Sequence, residues 1–135
     1  LLTAQPLRFL AVDDDLISRK ALSFALKKAL NQPDLAENGE AALALATRET
    51  YDVIFLDVQM PGMDGLETTR RLRLLSDHRL ASVPVVAVTA LAMPGDRERC
   101  IEAGADEYVT KLFRLLEIQD LILKMVEERK PSIGR

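Results

Sequence analysis

Residues 53–57, Val-Ile-Phe-Leu-Asp, restrict the fold more than any other stretch of the chain. Four apolar residues run straight into a carboxylate. Val58-Gln59-Met60-Pro61-Gly62-Met63-Asp64-Gly65 follows, dense in turn formers. A strand that is apolar at every position needs cover on both faces, which places it inside a parallel sheet. Open α/β sheets bind their ligands at the C-terminal ends of such strands. Asp57 is therefore a candidate reactive group rather than a surface charge.

The rest of the chain supplies the sheet. Residues 7–12 read as a first strand ending in Asp13, Asp14 and Asp15. Residues 16–30 read as a helix, with Ile17, Ala21, Leu22, Phe24, Ala25 and Ala29 recurring at helical spacing, and with Asp14 or Asp15 as its cap. Residues 33–37 form the weakest element, a short strand that Pro33 confines to an edge or a first position. Residues 40–48 are an Ala-rich helix after the Asn38-Gly39 turn. A helix over 66–75 carries Arg70, Arg71 and Arg73 as a solvated basic face, and 76–82 read as a polar loop holding His78. Residues 84–89 are a second near-continuous apolar strand ending at Thr89. Pro94 suits the first turn of a helix over 96–103, which Gly104 closes. Residues 107–110 form a short strand ending at Lys111. A last helix over 113–128 turns Leu116, Leu121, Ile122 and Met125 inward. Five alternations of strand and helix predict an α/β fold: a doubly wound, five-stranded parallel sheet with helices on both faces and right-handed crossovers.

Length and composition set bounds. With 135 residues, 48% hydrophobic and 29% charged, the chain fits one globular domain. We expect a domain over residues 7–128, an N-terminal tail over 1–6, and a C-terminal tail or linker stub over 129–135. A net charge of -3 offers no basic surface for nucleic acid. No apolar run approaches the roughly 20 residues of a membrane span. Cys100 is alone, so no disulfide framework exists, and a reducing, cytoplasmic setting is expected. A first residue of Leu1, not Met, is expected of a processed product, a tag-trimmed product or a piece cut from a longer protein.

Four strand ends carry polar groups: Asp13 with Asp14, Asp57, Thr89, and Lys111. Parallel strands share one C-terminal edge, so these side chains can converge although they lie far apart along the chain. Crowded carboxylates repel, and a hard divalent cation relieves them. Few protein ligands, the remainder water and phosphate oxygen, is the habit of Mg²⁺. Lys111 offers a compact positive charge to a phosphoryl oxygen, and Thr89 a hydroxyl to another. A carboxylate in that company is a plausible phosphoryl acceptor, with catalysis resting on positioning and charge neutralisation.

These motifs resemble the receiver domain of two-component response regulators. They are Ala11-Val12-Asp13-Asp14-Asp15, Leu56 through Gly65, Val88-Thr89-Ala90, and Gly104-Ala105-Asp106-Glu107-Tyr108-Val109-Thr110-Lys111, in the order of that family and over residues 7–128. The resemblance implies a flavodoxin-like sheet of strand order 2-1-3-4-5, carried over from the chemotaxis receiver. It implies Asp57 as the phosphoacceptor. Asp13, Asp14, Asp57 and the backbone carbonyl of Gln59 would hold Mg²⁺. Thr89 and Lys111 would contact the phosphoryl group, with Thr89 and Tyr108 as a switch pair. The implied partners are a histidine kinase or a histidine phosphotransfer domain, and a downstream protein at the face made by the helix after Pro94, the strand at Tyr108 and the last helix. Such a chain is a self-phosphorylating signalling module rather than an enzyme. Ala90 through Arg97 and Gly65 through Arg70 are similar to receivers fused to hybrid histidine kinases.

One departure stands out. The family places Pro after the Lys, in a cis bond; here Leu112 follows Lys111. A cis bond before Leu costs about 2.5–4 kcal/mol, so a trans bond and a displaced loop are expected. This feeds an alternative, a pseudo-receiver that keeps the fold as an interaction module but is phosphorylated poorly. A phosphatase with an Asp nucleophile would carry a second Asp where Gln59 stands. A flavin site would need a phosphate-cradling loop where Asp13, Asp14 and Asp15 stand. Taken singly, Asp15 and Asp64 read as caps or turn formers, and Cys100 as a packing residue.

Overall fold

A computed structural model describes residues 7–29, 33–89, 93–111, 121 and 123–125. The chain runs β1 (Phe9–Val12), α1 (Leu16–Ala29), β2 (Asp34–Ala36), α2 (Gly39–Arg48), β3 (Val53–Asp57), α3 (Gly65–Leu74), α4 (His78–Ala81), β4 (Val85–Thr89), α5 (Asp96–Ala103) and β5 (Glu107–Thr110). Leu121 and residues 123–125 are helical, within the expected last helix. The five strands form one parallel sheet in the order β2-β1-β3-β4-β5. This is the doubly wound, flavodoxin-like arrangement, with β3 at its centre. The tails, Leu116, Ile122 and the Lys111–Leu112 bond lie outside the described residues.

Period-two alternation divides the core. Leu10, Val12, Ile54, Leu56, Val85 and Ala87 face one side and pack with Ala42, Ala46, Leu72, Leu80 and Cys100. Phe9, Ala11, Val53, Phe55, Val86 and Val88 face the other, under Leu22 and Leu26 of α1 and Met125. Both faces of the inner strands are thus dry, which is why these strands are apolar at every position. Phe9 and Phe55 add an edge-to-face contact on the α1 side, with ring centroids 6.3 Å apart.

Local chemistry sets the helix starts. Asp15 accepts the Ser18 N–H at 2.8 Å, Asn38 the Ala41 N–H at 2.7 Å, and Asp64 the Glu67 N–H at 2.9 Å. Asp64 is therefore the cap of α3. Gly104 ends α5 with φ 114°, a conformation that favours glycine.

Several expectations need correcting. Residues 76–82 are not all loop: α4 makes one turn there, capped by Asp77 and anchored by buried Leu80. A single turn is too short to show a period in sequence. Pro94 precedes α5 by two residues instead of entering its first turn. In α1, Ile17 is 78% and Phe24 63% exposed. Leu22 and Leu26 carry the packing instead, because an amphipathic stripe covers only part of a helix. Arg73 is not part of a solvated face. Its side chain is 18% exposed and donates to the carbonyls of Gly104 (2.9 Å) and Val83 (2.7 Å) and to Asp106 (3.0 Å). Arg70 and Arg71 do remain on the surface, paired with Glu67. No described helix is long and apolar enough to cross a membrane.

Candidate functional site

Parallel pairing brings the polar strand ends to one edge. Val12 pairs with Leu56, and Asp57 with Val88, so Asp13 leaves β1 beside the end of β3, and Thr89 ends the next strand. Asp13 follows Phe9 and Ala11, and Asp57 follows Val53 and Phe55, along the sheet face that α1 covers. Both carboxylates are buried, each 2% exposed, while Asp14 in the β1–α1 loop is open to solvent. One carboxylate oxygen from each of Asp13, Asp14 and Asp57 lies within 4.8 Å of the other two. Asp13 is fixed further by the Asp15 N–H, which donates to its Oδ1 at 2.9 Å, and Gln59 N–H donates to Asp57 Oδ1 at 3.3 Å.

Lys111 closes the cluster from beyond β5. Its backbone N–H donates to the Thr89 carbonyl at 2.6 Å. Its Nζ lies 3.0 Å from Asp13 Oδ2 and 3.5 Å from Asp57 Oδ1. Burial works against the ammonium, but the bond to Asp13 and the charges of Asp57 and Asp13 outweigh it, so its pKa is raised. Burial first, and the charge of Asp13 second, push Asp57 up to about 7 against the opposing pull of Lys111. The donor set is all oxygen, with two buried carboxyl groups and one exposed one. It suits a hard divalent cation and offers nothing to a soft metal.

Close packing behind Asp57 leaves no slack. A Cβ on Gly65 would stand 2.1 Å from the Asp57 carbonyl oxygen, so only glycine lets the start of α3 approach the end of β3 this closely. On the opposite sheet face, Thr89 is buried and lines a small cavity with Val58, Leu66, Cys100 and Tyr108. The Tyr108 hydroxyl is buried without a hydrogen-bond partner among the described residues. Cys100 is a packing residue in this layer, and burial pushes its thiol pKa up.

Of the expected site residues, Asp13, Asp14, Asp57 and Lys111 form a cluster; Gln59 reaches Asp57 through its N–H rather than its carbonyl, Thr89 meets Lys111 through the backbone, and the Thr89 side chain lines the cavity that also holds Tyr108. Ser18 was not singled out. Its hydroxyl lies 3.5 Å from Lys111 Nζ, and a serine in a helical stretch carries no signal that would have found it.

The strand order and the acidic cleft at the carboxyl edge put the chain in the flavodoxin-like class of α/β domains. The chain belongs to the response regulator receiver domain family, whose model matches residues 9–123. It is 44% identical over 109 residues to the gliding motility regulatory protein of Myxococcus xanthus, covering 80% of this chain and 14% of that one. It is 33% identical over 138 residues to hybrid signal transduction histidine kinase I of Dictyostelium discoideum, covering 94% of this chain and 8% of the relative. The chain therefore spans a small part of both relatives. Among solved structures it is similar to the receiver domain of sensor histidine kinase PA1611 from Pseudomonas aeruginosa PAO1. The TM-score is 0.82 at 30% identity, covering 91% of this chain and 99% of that one. That domain was crystallised with a magnesium ion coordinated in its active site cleft.

Proposed function

We propose that this chain is a phosphoacceptor signalling domain that takes a phosphoryl group onto Asp57. The observation that carries this reading is the meeting of Asp13, Asp14 and Asp57, within 4.8 Å, under the ammonium of Lys111. An Asp57 carboxylate oxygen forms a bond to phosphorus while the donor's bond to phosphorus breaks, and that electron pair leaves with the donor. In this reading Lys111 receives phosphoryl oxygens, and Thr89, whose side chain lines the Tyr108 cavity on the other sheet face, receives one after turning toward Asp57. Asp13, Asp14, Asp57 and the Gln59 backbone carbonyl would hold Mg²⁺, which supplies charge neutralisation when bound. The acid at the centre must be ionised to act, and its raised pKa makes a cation the natural partner.

The donor in this reading is a phosphohistidine on a histidine kinase or a histidine phosphotransfer domain. A downstream protein would read the face formed by α5, β5 and the last helix, with Thr89 and Tyr108 passing the change between them across the cavity they line. The domain would extend over residues 7–128.

Incubation with Mg²⁺ and acetyl phosphate should add the mass of one phosphoryl group, and Asp57→Asn should abolish the addition. No mass change in the parent protein overturns the reading. The pseudo-receiver alternative rests on Leu112 in place of Pro. It would be favoured by a parent chain that binds Mg²⁺ yet accepts phosphate only after Leu112→Pro.

A further inference from the structure

The Lys111 ammonium carries three N–H donors. Three acceptors surround it: Asp13 Oδ2 at 3.0 Å, Asp57 Oδ1 at 3.5 Å and Ser18 Oγ at 3.5 Å. The first two belong to the buried carboxyl groups of the acidic cleft. The third is neutral and comes from the first turn of α1, 93 residues away in sequence. The Ser18 backbone is itself tied down, because its N–H donates to Asp15 Oδ2 at 2.8 Å. Asp15 in turn donates its N–H to Asp13 Oδ1 at 2.9 Å. The β1–α1 turn is thus one hydrogen-bonded unit that presents a carboxylate and a hydroxyl to the same ammonium.

We infer that Ser18 is a positioning residue for phosphoryl transfer to Asp57, holding Lys111 Nζ over the cleft through its hydroxyl. This rests on the phosphoacceptor reading and adds a residue to it. A cation that takes Asp13 and Asp57 as ligands draws on the same oxygens that hold Lys111. Those two contacts then weaken when the ammonium is needed. The neutral Ser18 hydroxyl competes poorly with carboxylates for a cation and stays in the first turn of α1. It therefore keeps one N–H of Lys111 Nζ engaged while the other two turn to the incoming phosphoryl oxygens. A flexible four-carbon side chain otherwise loses rotamer freedom at that moment. During the step an Asp57 oxygen bonds to phosphorus, and acetate leaves with the electron pair of its former P–O bond.

The test compares the parent, Ser18→Ala, Ser18→Thr, Lys111→Ala and the Ser18→Ala/Lys111→Ala double variant. The rate constant for phosphorylation by acetyl phosphate at saturating Mg²⁺ should fall about threefold to tenfold in Ser18→Ala, the size expected for one long hydrogen bond of ordinary net strength. Beryllofluoride, a mimic of the bound phosphoryl group, should lose affinity by a similar factor. Mg²⁺ affinity, read from amide shifts, should stay within about twofold, because Ser18 is not placed among the ligands. Ser18→Thr should restore the rate, and Ser18→Ala should have no further effect once Lys111 is Ala. An unchanged rate in Ser18→Ala, a parallel fall in Mg²⁺ affinity, or an undiminished effect in the Lys111→Ala background overturns the inference. A parent protein that takes no phosphate overturns the phosphoacceptor reading beneath it as well.

Discussion

Lys111 Nζ sits closer to Asp13, at 3.0 Å, than to Asp57, at 3.5 Å. Without a divalent cation the ammonium is the positive charge that the carboxylates share. It occupies part of the electrostatic role that the cation would take, and the two compete for the same oxygens.

Removing that charge should therefore have opposite effects on binding and chemistry. Lys111→Ala should bind Mg²⁺ more tightly, by about tenfold, since a positive charge next to two ligands is lost. The same variant should be phosphorylated far more slowly and, without Mg²⁺, should lose about 1–3 kcal/mol of stability because buried carboxylates are left without their partner. Calorimetric titration and urea unfolding measure both. A Mg²⁺ affinity that drops would show that Lys111 supports the cation site instead of competing with it.

Asp57 sets the pH behaviour. In the folded, cation-free protein it keeps its proton up to about 7, whereas an unfolded Asp releases its proton near ~4. Between those values the folded state binds more protons than the unfolded chain, so this group's contribution to stability falls as pH rises. The cation-free melting temperature of the parent, relative to Asp57→Asn, should decline from about pH 4.5 to about pH 7.5. Mg²⁺ affinity should climb through the same window, since cation and proton exclude each other. A flat difference between the two proteins would remove burial and the charge of Asp13 as perturbing forces.

Gly65→Ala is expected to damage both fold and site. Its new methyl would press on the Asp57 carbonyl oxygen, and backbone has little room to yield. Overpacking of this kind costs about 1–3 kcal/mol. Phosphate acceptance should fall even in molecules that remain folded, because the end of β3 must shift. Normal acceptance by a folded Gly65→Ala protein would contradict the close approach.

Arg73→Leu removes the bonds to Gly104, Val83 and Asp106 and strands two carbonyls. The expected loss is about 2–4 kcal/mol in urea unfolding. Arg71→Leu, on the exposed side of the same helix, should cost under ~1 kcal/mol. Equal losses would mean that the buried network adds nothing over a surface ion pair.

The alternation of apolar strands and helices, and the polar residue at the end of most strands, are legible in the chain itself. Runs such as 53–57 and 85–89 admit one environment, the doubly covered interior of a parallel sheet, and parallel strands bring their C-terminal ends to one edge. That geometry puts Asp13, Asp14, Asp57, Thr89 and Lys111 on one edge and allows them to converge; the strand order and side-chain reach of the folded chain bring Lys111 to Asp13 and Asp57. What sequence could not express was which neighbour each group leans on. The lean of Lys111 toward Asp13, the reach of Ser18 to the same ammonium, the burial of Arg73 and the exposure of Ile17 and Phe24 depend on helix rotation and on side-chain reach across 31 to 98 residues of chain. Local propensity and period decide which elements form. Only packing them together decides the last few ångströms, and both the charge balance of the cleft and the pull on Asp57 are set at that distance.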